Sequence, residues 1–170
     1  MSIAYPLMIA FPAAMILAAL SDLTTMTIPN RISLALVAAF LIVAPLAGLS
    51  LEQFLIHLAV GFAVLLFGMA LFATGTFGGG DAKLLAAAAL WMGAGEVVPF
   101  FAYVAILGGV LALAILMYRR VPEIVMATYP LPAWATRLHQ RDCGIPYGIA
   151  ISAAALIAFP ATSLYALICA

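Results

Sequence analysis

Charge is what this sequence has least of: six basic and six acidic side chains over 170 residues, against 68% hydrophobic ones. With a mean hydropathy of +1.29, the chain has too little polar surface to cover a water-soluble globule, and the composition predicts an integral membrane protein. A formal net charge of zero, with no basic tail or acidic arm, excludes an electrostatic footprint for nucleic acid. Cysteine is also scarce. Cys143 and Cys169 stand at opposite ends of the last apolar stretch, which excludes a disulfide framework and predicts free thiols. The two histidines, His57 and His139, fall on opposite sides of the predicted bundle, and neither HExxH nor a Cys/His cluster occurs, so no metal site is predicted. No Gly-x-Ser-x-Gly elbow is present for nucleophilic serine chemistry. The first twenty residues lack the positive start of a signal peptide and are apolar for too long to be a cleavable one, so a retained first span is expected.

What the chain does have is long apolar runs. A span needs about 20 mainly apolar residues, and breaks at charge, Gly, Pro or Asn divide the chain into six candidate helices: 3–21, 32–49, 54–74, 82–95, 97–118 and 146–168. The division between the fourth and fifth rests on Gly93-Ala94-Gly95-Glu96 and Pro99. The fold expected is all-α, one membrane-embedded domain over residues 1–170. Cytoplasmic loops retain basic residues. Arg31, Lys83, Arg119, Arg120, Arg137 and Arg141 all fall in the odd-numbered connections, which places both termini outside and these connections in the cytoplasm. Between Arg119 and Arg141, the polar connection containing Glu123, Pro130, Pro132 and Trp134 is expected at the interface.

Two acids then need an explanation, because a charged Asp at mid-bilayer costs about 3 kcal/mol on insertion scales. Asp22 ends the first apolar stretch in Ser21-Asp22-Leu23-Thr24, and Asp81 closes Gly78-Gly79-Gly80-Asp81-Ala82-Lys83. Taken alone, Asp81 suits a helix N-cap and Asp22 an interfacial turn. The charge-derived topology, however, puts both on one cytoplasmic face. Two carboxyls within hydrogen-bonding distance share a proton, one serving as acid and the other as base, and neighbouring glycines open the backbone to a close approach. The helix dipole opposes negative charge at the end of the first helix and favours it at the start of the fourth, which assigns the acid to Asp22 and the base to Asp81. From Asp81 to Gly93 a helix rises only about 18 Å, so Asp81 is expected to be recessed in a water-filled cleft.

Three segments carry a resemblance: Ser21-Asp22-Leu23 through Ile28-Pro29-Asn30-Arg31, Gly78-Gly79-Gly80-Asp81-Ala82-Lys83-Leu84, and Ile145-Pro146-Tyr147-Gly148. In this order and with six spans, the chain resembles the type IV prepilin leader peptidases, GxGD aspartic membrane proteases, and is most similar to their short Tad/Flp-pilus branch. The resemblance implies that Asp22 and Asp81 are catalytic, and that Gly78, Gly80, Lys83, Pro146, Tyr147 and Gly148 bind substrate or support the loops. It implies cleavage of the short basic leader of prepilin-like membrane proteins at the cytoplasmic face of the bacterial inner membrane, for pilus biogenesis or related secretion, without metal or other cofactor. Thr24, Thr25, Met26 and Thr27 stand where relatives often carry basic residues. The cysteine-containing N-terminal region of larger relatives has no counterpart, so methyl transfer is not expected. From the residues alone, the alternative is a proton- or cation-coupled transporter or channel subunit, in which buried acids relay charge.

Overall fold

In a computed structural model, residues 9–122, 131–140 and 142–169 are described. The first eight residues of the chain, and with them the start of the first expected span, lie outside the described residues, as do Glu123, Pro130 and Arg141. Among the described residues all regular structure is helical: α1 Ala10–Thr25, α2 Asn30–Leu46, α3 Leu51–Ala73, α4 Gly79–Tyr118, α5 Ala133–His139, α6 Tyr147–Ala158 and, after a 3₁₀ turn at Phe159–Ala161, α7 Ser163–Cys169. By length and composition α3 and α4 suffice to cross a membrane, and the bent unit of α6, the 3₁₀ turn and α7, which turns by 59°, makes a third if it is one span. α1 and α2 are shorter apolar helices.

α4 runs through the expected boundary between the fourth and fifth helices but is kinked at Gly93, two residues before the expected end of the fourth, where φ of 64° and ψ of −173° interrupt the helix. A continuous ladder would have the amide of residue 94 donate to the Leu90 carbonyl. At the break, His57 Nδ1–H donates to that oxygen instead, at 2.7 Å. A buried carbonyl in apolar surroundings needs such a partner, and His57, itself buried, supplies it from α3. The glycine is required twice over: its φ is unfavourable for L-residues, and an added Cβ would lie 2.5 Å from the imidazole ring.

The first arm of α4, before Gly93, is the centre of the fold. Ala82 and every residue from Leu84 to Met92 are buried, so this arm is surrounded rather than amphipathic. α3 meets it through a stripe at helical spacing, His57, Gly61, Val64 and Gly68. Cβ atoms added at Gly61 and Gly68 would come within 3.0 Å of Leu90 Cβ and Ala82 Cβ respectively, the small-residue contact by which apolar helices approach closely without a hydrophobic drive. α1 presents Phe11, Met15, Ala18 and Asp22 at the same kind of spacing. Away from the carboxylate end, Trp91 anchors an aromatic cluster: ring centroids lie 5.0 Å from Phe11, 5.8 Å from Phe40 and 5.9 Å from Phe159. The Trp91 indole N–H donates to the Leu36 carbonyl at 3.0 Å, so its polar edge is satisfied within the core.

Gly93→Ala should therefore lower the unfolding midpoint in detergent, by about 1–3 kcal/mol for the forced positive φ and the displaced imidazole. Gly95→Ala, where a Cβ meets nothing within 4 Å, should be neutral or slightly stabilising. Equal midpoints for the two variants in thermal or denaturant unfolding would contradict the role given to the break.

Candidate active site

α1 closes on a left-handed residue, Met26, with φ 56° and its N–H donating to the Asp22 carbonyl. The hydroxyl-rich stretch holds this ending. Ser21 Oγ donates to Thr27 O at 2.8 Å, Thr25 Oγ1 to Ser21 O at 2.8 Å, and the Thr25 and Thr27 hydroxyls are bonded to each other. The hydroxyl side chains of this stretch thus bond the helix C-terminus, satisfying groups that a helix end leaves unpaired. Arg137 of α5 adds a bond from Nη1 to Thr24 O at 2.8 Å, a cation at the negative end of the α1 dipole.

Asp22 lies in the last turn of α1, on its inward stripe, and is only 5% exposed. The Gly148 amide donates to its Oδ2 at 2.7 Å. A Cβ at position 148 would lie 2.7 Å from that same oxygen and 2.7 Å from Ile28 Cδ1. Glycine here makes room for a carboxylate and supplies its donor. Pro146 precedes as the N-cap of α6, and the Tyr147 ring lies against Gly108 in the second arm of α4, 3.1 Å from where a Cβ would stand. Both support the loop that presents Gly148.

Asp81 occupies the first turn of α4, partly buried, but the N-cap is Gly78. The Asp81 side chain folds back over that cap: a Cβ at Gly78 would stand 2.6 Å from Asp81 Oδ2. Gly80 has a different task. Its Cα faces Ile28, with a virtual Cβ at 3.3 Å from Ile28 Cβ and 3.5 Å from Ile28 O, so the glycine run and the Ile-Pro-Asn turn pack backbone against side chain. Ile28, buried, thereby touches both Gly80 and Gly148. The three sequence segments converge on this one residue, which brings the end of α1 that carries Asp22 and the start of α4 that carries Asp81 to one junction. Each carboxylate lies over a glycine of its own, Asp22 at Gly148 and Asp81 at Gly78.

Lys83 does not join them. Residues two apart on a helix face different ways, and Lys83 Nζ donates to Asn30 Oδ1 at 2.9 Å, on the side of α2 and α3. No group of three or more His, Cys, Asp or Glu suited to a metal occurs among the described residues.

Two supports escaped the reading of the sequence. Arg119, at the end of α4, donates from Nε to Leu138 O at 2.9 Å and from Nη2 to Cys143 O at 2.6 Å and Gly144 O at 3.0 Å. It clamps the strap that leads into Ile145-Pro146-Tyr147-Gly148. As a basic loop residue Arg119 reads as a topology determinant, and nothing local marks its acceptors. Ile28 reads as part of a turn, and its only signal is being apolar among hydroxyls and Pro-Asn.

No curated protein and no solved structure matches the chain. Residues 9–113 match the description of the Type IV leader peptidase family. That match spans more than half of the chain and includes both aspartates, the glycine run and the Ile-Pro-Asn turn, and the chain belongs to the Type IV leader peptidase family.

Proposed function

We propose that this protein is a membrane aspartic endopeptidase that removes the short basic leader of Flp-type prepilins, with Asp22 and Asp81 as its catalytic pair. The observation that carries this reading is the convergence of the segments that bear the two acids, the end of α1 and the start of α4, on the packed turn of Ile28, each carboxylate over a glycine that leaves it room. Family membership favours the peptidase over a proton-coupled transporter.

Peptide hydrolysis needs a base to take a proton from water as its oxygen attacks the scissile carbonyl carbon. It also needs an acid to protonate the carbonyl oxygen; the tetrahedral intermediate then collapses as the leaving amine takes up a proton. A carboxyl pair supplies both roles and requires no metal. The helix dipole favours Asp22 as acid and Asp81 as base, but the Gly148 amide, by donating to Asp22 Oδ2, favours the ionised form of Asp22, so the two roles are assigned to the pair. Because the Gly148 amide occupies a lone pair on Asp22 Oδ2, Oδ1 is the Asp22 oxygen that exchanges a proton within the pair. Gly148 fixes the Asp22 carboxyl, and Gly78 leaves room for that of Asp81 over the start of α4.

In this reading six spans cross the inner membrane: α1, α2, α3, the two arms of α4, and α6 with α7. Both termini lie outside and the basic connections lie in the cytoplasm, where the leader of the substrate is also found. Substrate is held between the strap before Gly148 and the glycine run before Asp81. No methyl transfer is assigned.

Asp22→Asn and Asp81→Asn should each reduce cleavage of a coexpressed prepilin by about 10³-fold or more, with membrane insertion unchanged on immunoblots of the membrane fraction. Processing retained in both variants would overturn the assignment. Gly78→Ala is expected to separate activity from stability. Its backbone suits alanine, at φ −71° and ψ 137°, and only the Asp81 carboxylate must move. Turnover should fall about 10²-fold, as for an ångström-scale misplacement, at an unchanged unfolding midpoint. Gly109→Ala, facing open space, is the control, and equal turnover in the two would exclude the glycine as a positioning element.

A further inference from the structure

Between α2, α3 and the first arm of α4 lies a cavity of about 440 Å³. Lys83, Ala87 and Leu90 line it, spaced to share one face of α4, whereas Asp81 is turned away from that face. The walls are apolar and no acidic side chain lines them. Polar groups gather at one end. Lys83 Nζ is bonded to Asn30 Oδ1 at 2.9 Å, which leaves two ammonium donors free.

Apolar side chains from three helices line the groove, which suits an extended hydrocarbon chain, and the polar groups at one end suit its headgroup. The polar end is cationic: Lys83 is bonded to Asn30, the first residue of α2, which is followed in sequence by the exposed Arg31, and α2, 17 residues long, begins there with no side-chain cap on its N-terminus. An uncapped helix start and an ammonium group both favour a phosphate, and basic residues at a membrane surface favour a net negative headgroup.

We propose that this cavity binds an anionic phospholipid. One acyl chain lies along Leu34, Ala87 and Leu90, and the phosphate rests on Lys83 and the start of α2. The site is separate from the carboxylates and does not depend on the peptidase reading.

The full chain in nanodiscs of equal phosphatidylglycerol and phosphatidylcholine, released and weighed by native mass spectrometry, tests it. Wild type should retain phosphatidylglycerol preferentially. Lys83→Gln should reduce that preference about fivefold, the contribution of one basic residue at an anionic surface, while Lys83→Arg keeps it. Leu34→Trp, at an exposed position, should occupy the cavity and lower retention of both lipids, with helix content by circular dichroism unchanged. Absence of retained phosphatidylglycerol on wild type, an unaltered preference in Lys83→Gln, or unaltered retention in Leu34→Trp would each overturn the proposal.

Discussion

The Gly148 amide meets the Asp22 carboxylate at 2.7 Å with no side chain between them, joining the end of the first helix to the start of the last apolar stretch. An acid this deeply buried is stable only with a donor, and here the donor belongs to a residue that must also lack a Cβ. Much of the architecture at this end serves that contact. Arg119 clamps the strap before Gly148, Arg137 and the threonine hydroxyls close α1 just beyond Asp22, and Ile28 fills the space between Gly148 and Gly80.

The same economy governs the other end of the α4 arm. Breaking a helix inside an apolar bundle frees a carbonyl, and in low dielectric that carbonyl has to be bonded. His57 and Gly93 answer this together, one by donating to Leu90 O and the other by admitting the ring at a backbone angle only glycine adopts readily. The short first arm that results carries Asp81 at its start and Trp91 near its end, the indole tied to α2. Function at one end is thus referenced to a rigid aromatic cluster at the other, the arrangement a pair of acids needs if it is to keep its geometry.

Opposite faces of that arm do different work. Asp81 looks toward the packed junction of the three motifs, while Lys83, two residues on, looks into an apolar cavity. Helical periodicity alone separates the one acid and the one ammonium group of this segment, which is why positions two apart in one short motif meet different surroundings.

Composition and pattern made much of this legible. Apolar runs set the helices, the Gly93-Ala94-Gly95 punctuation located the break because glycine is the residue a kink demands, and the two acids stood out because charge in such surroundings is expensive. The expectation that Asp81 caps its helix and that the glycines simply bare the backbone was only partly right: Gly78 is the cap, Gly80 packs on Ile28, and Gly148, not the glycine run, bonds an acid. Clearances of this kind depend on which segment lies within 3 Å of which, and no local pattern encodes that distance. By itself the sequence determined that the chain is helical, apolar and built around two aspartates, because those follow from solvation and backbone propensity. Tertiary structure alone decided which glycine serves which carboxylate, which arginine holds the strap and which way Lys83 points, because these are contacts between residues as many as 126 positions apart.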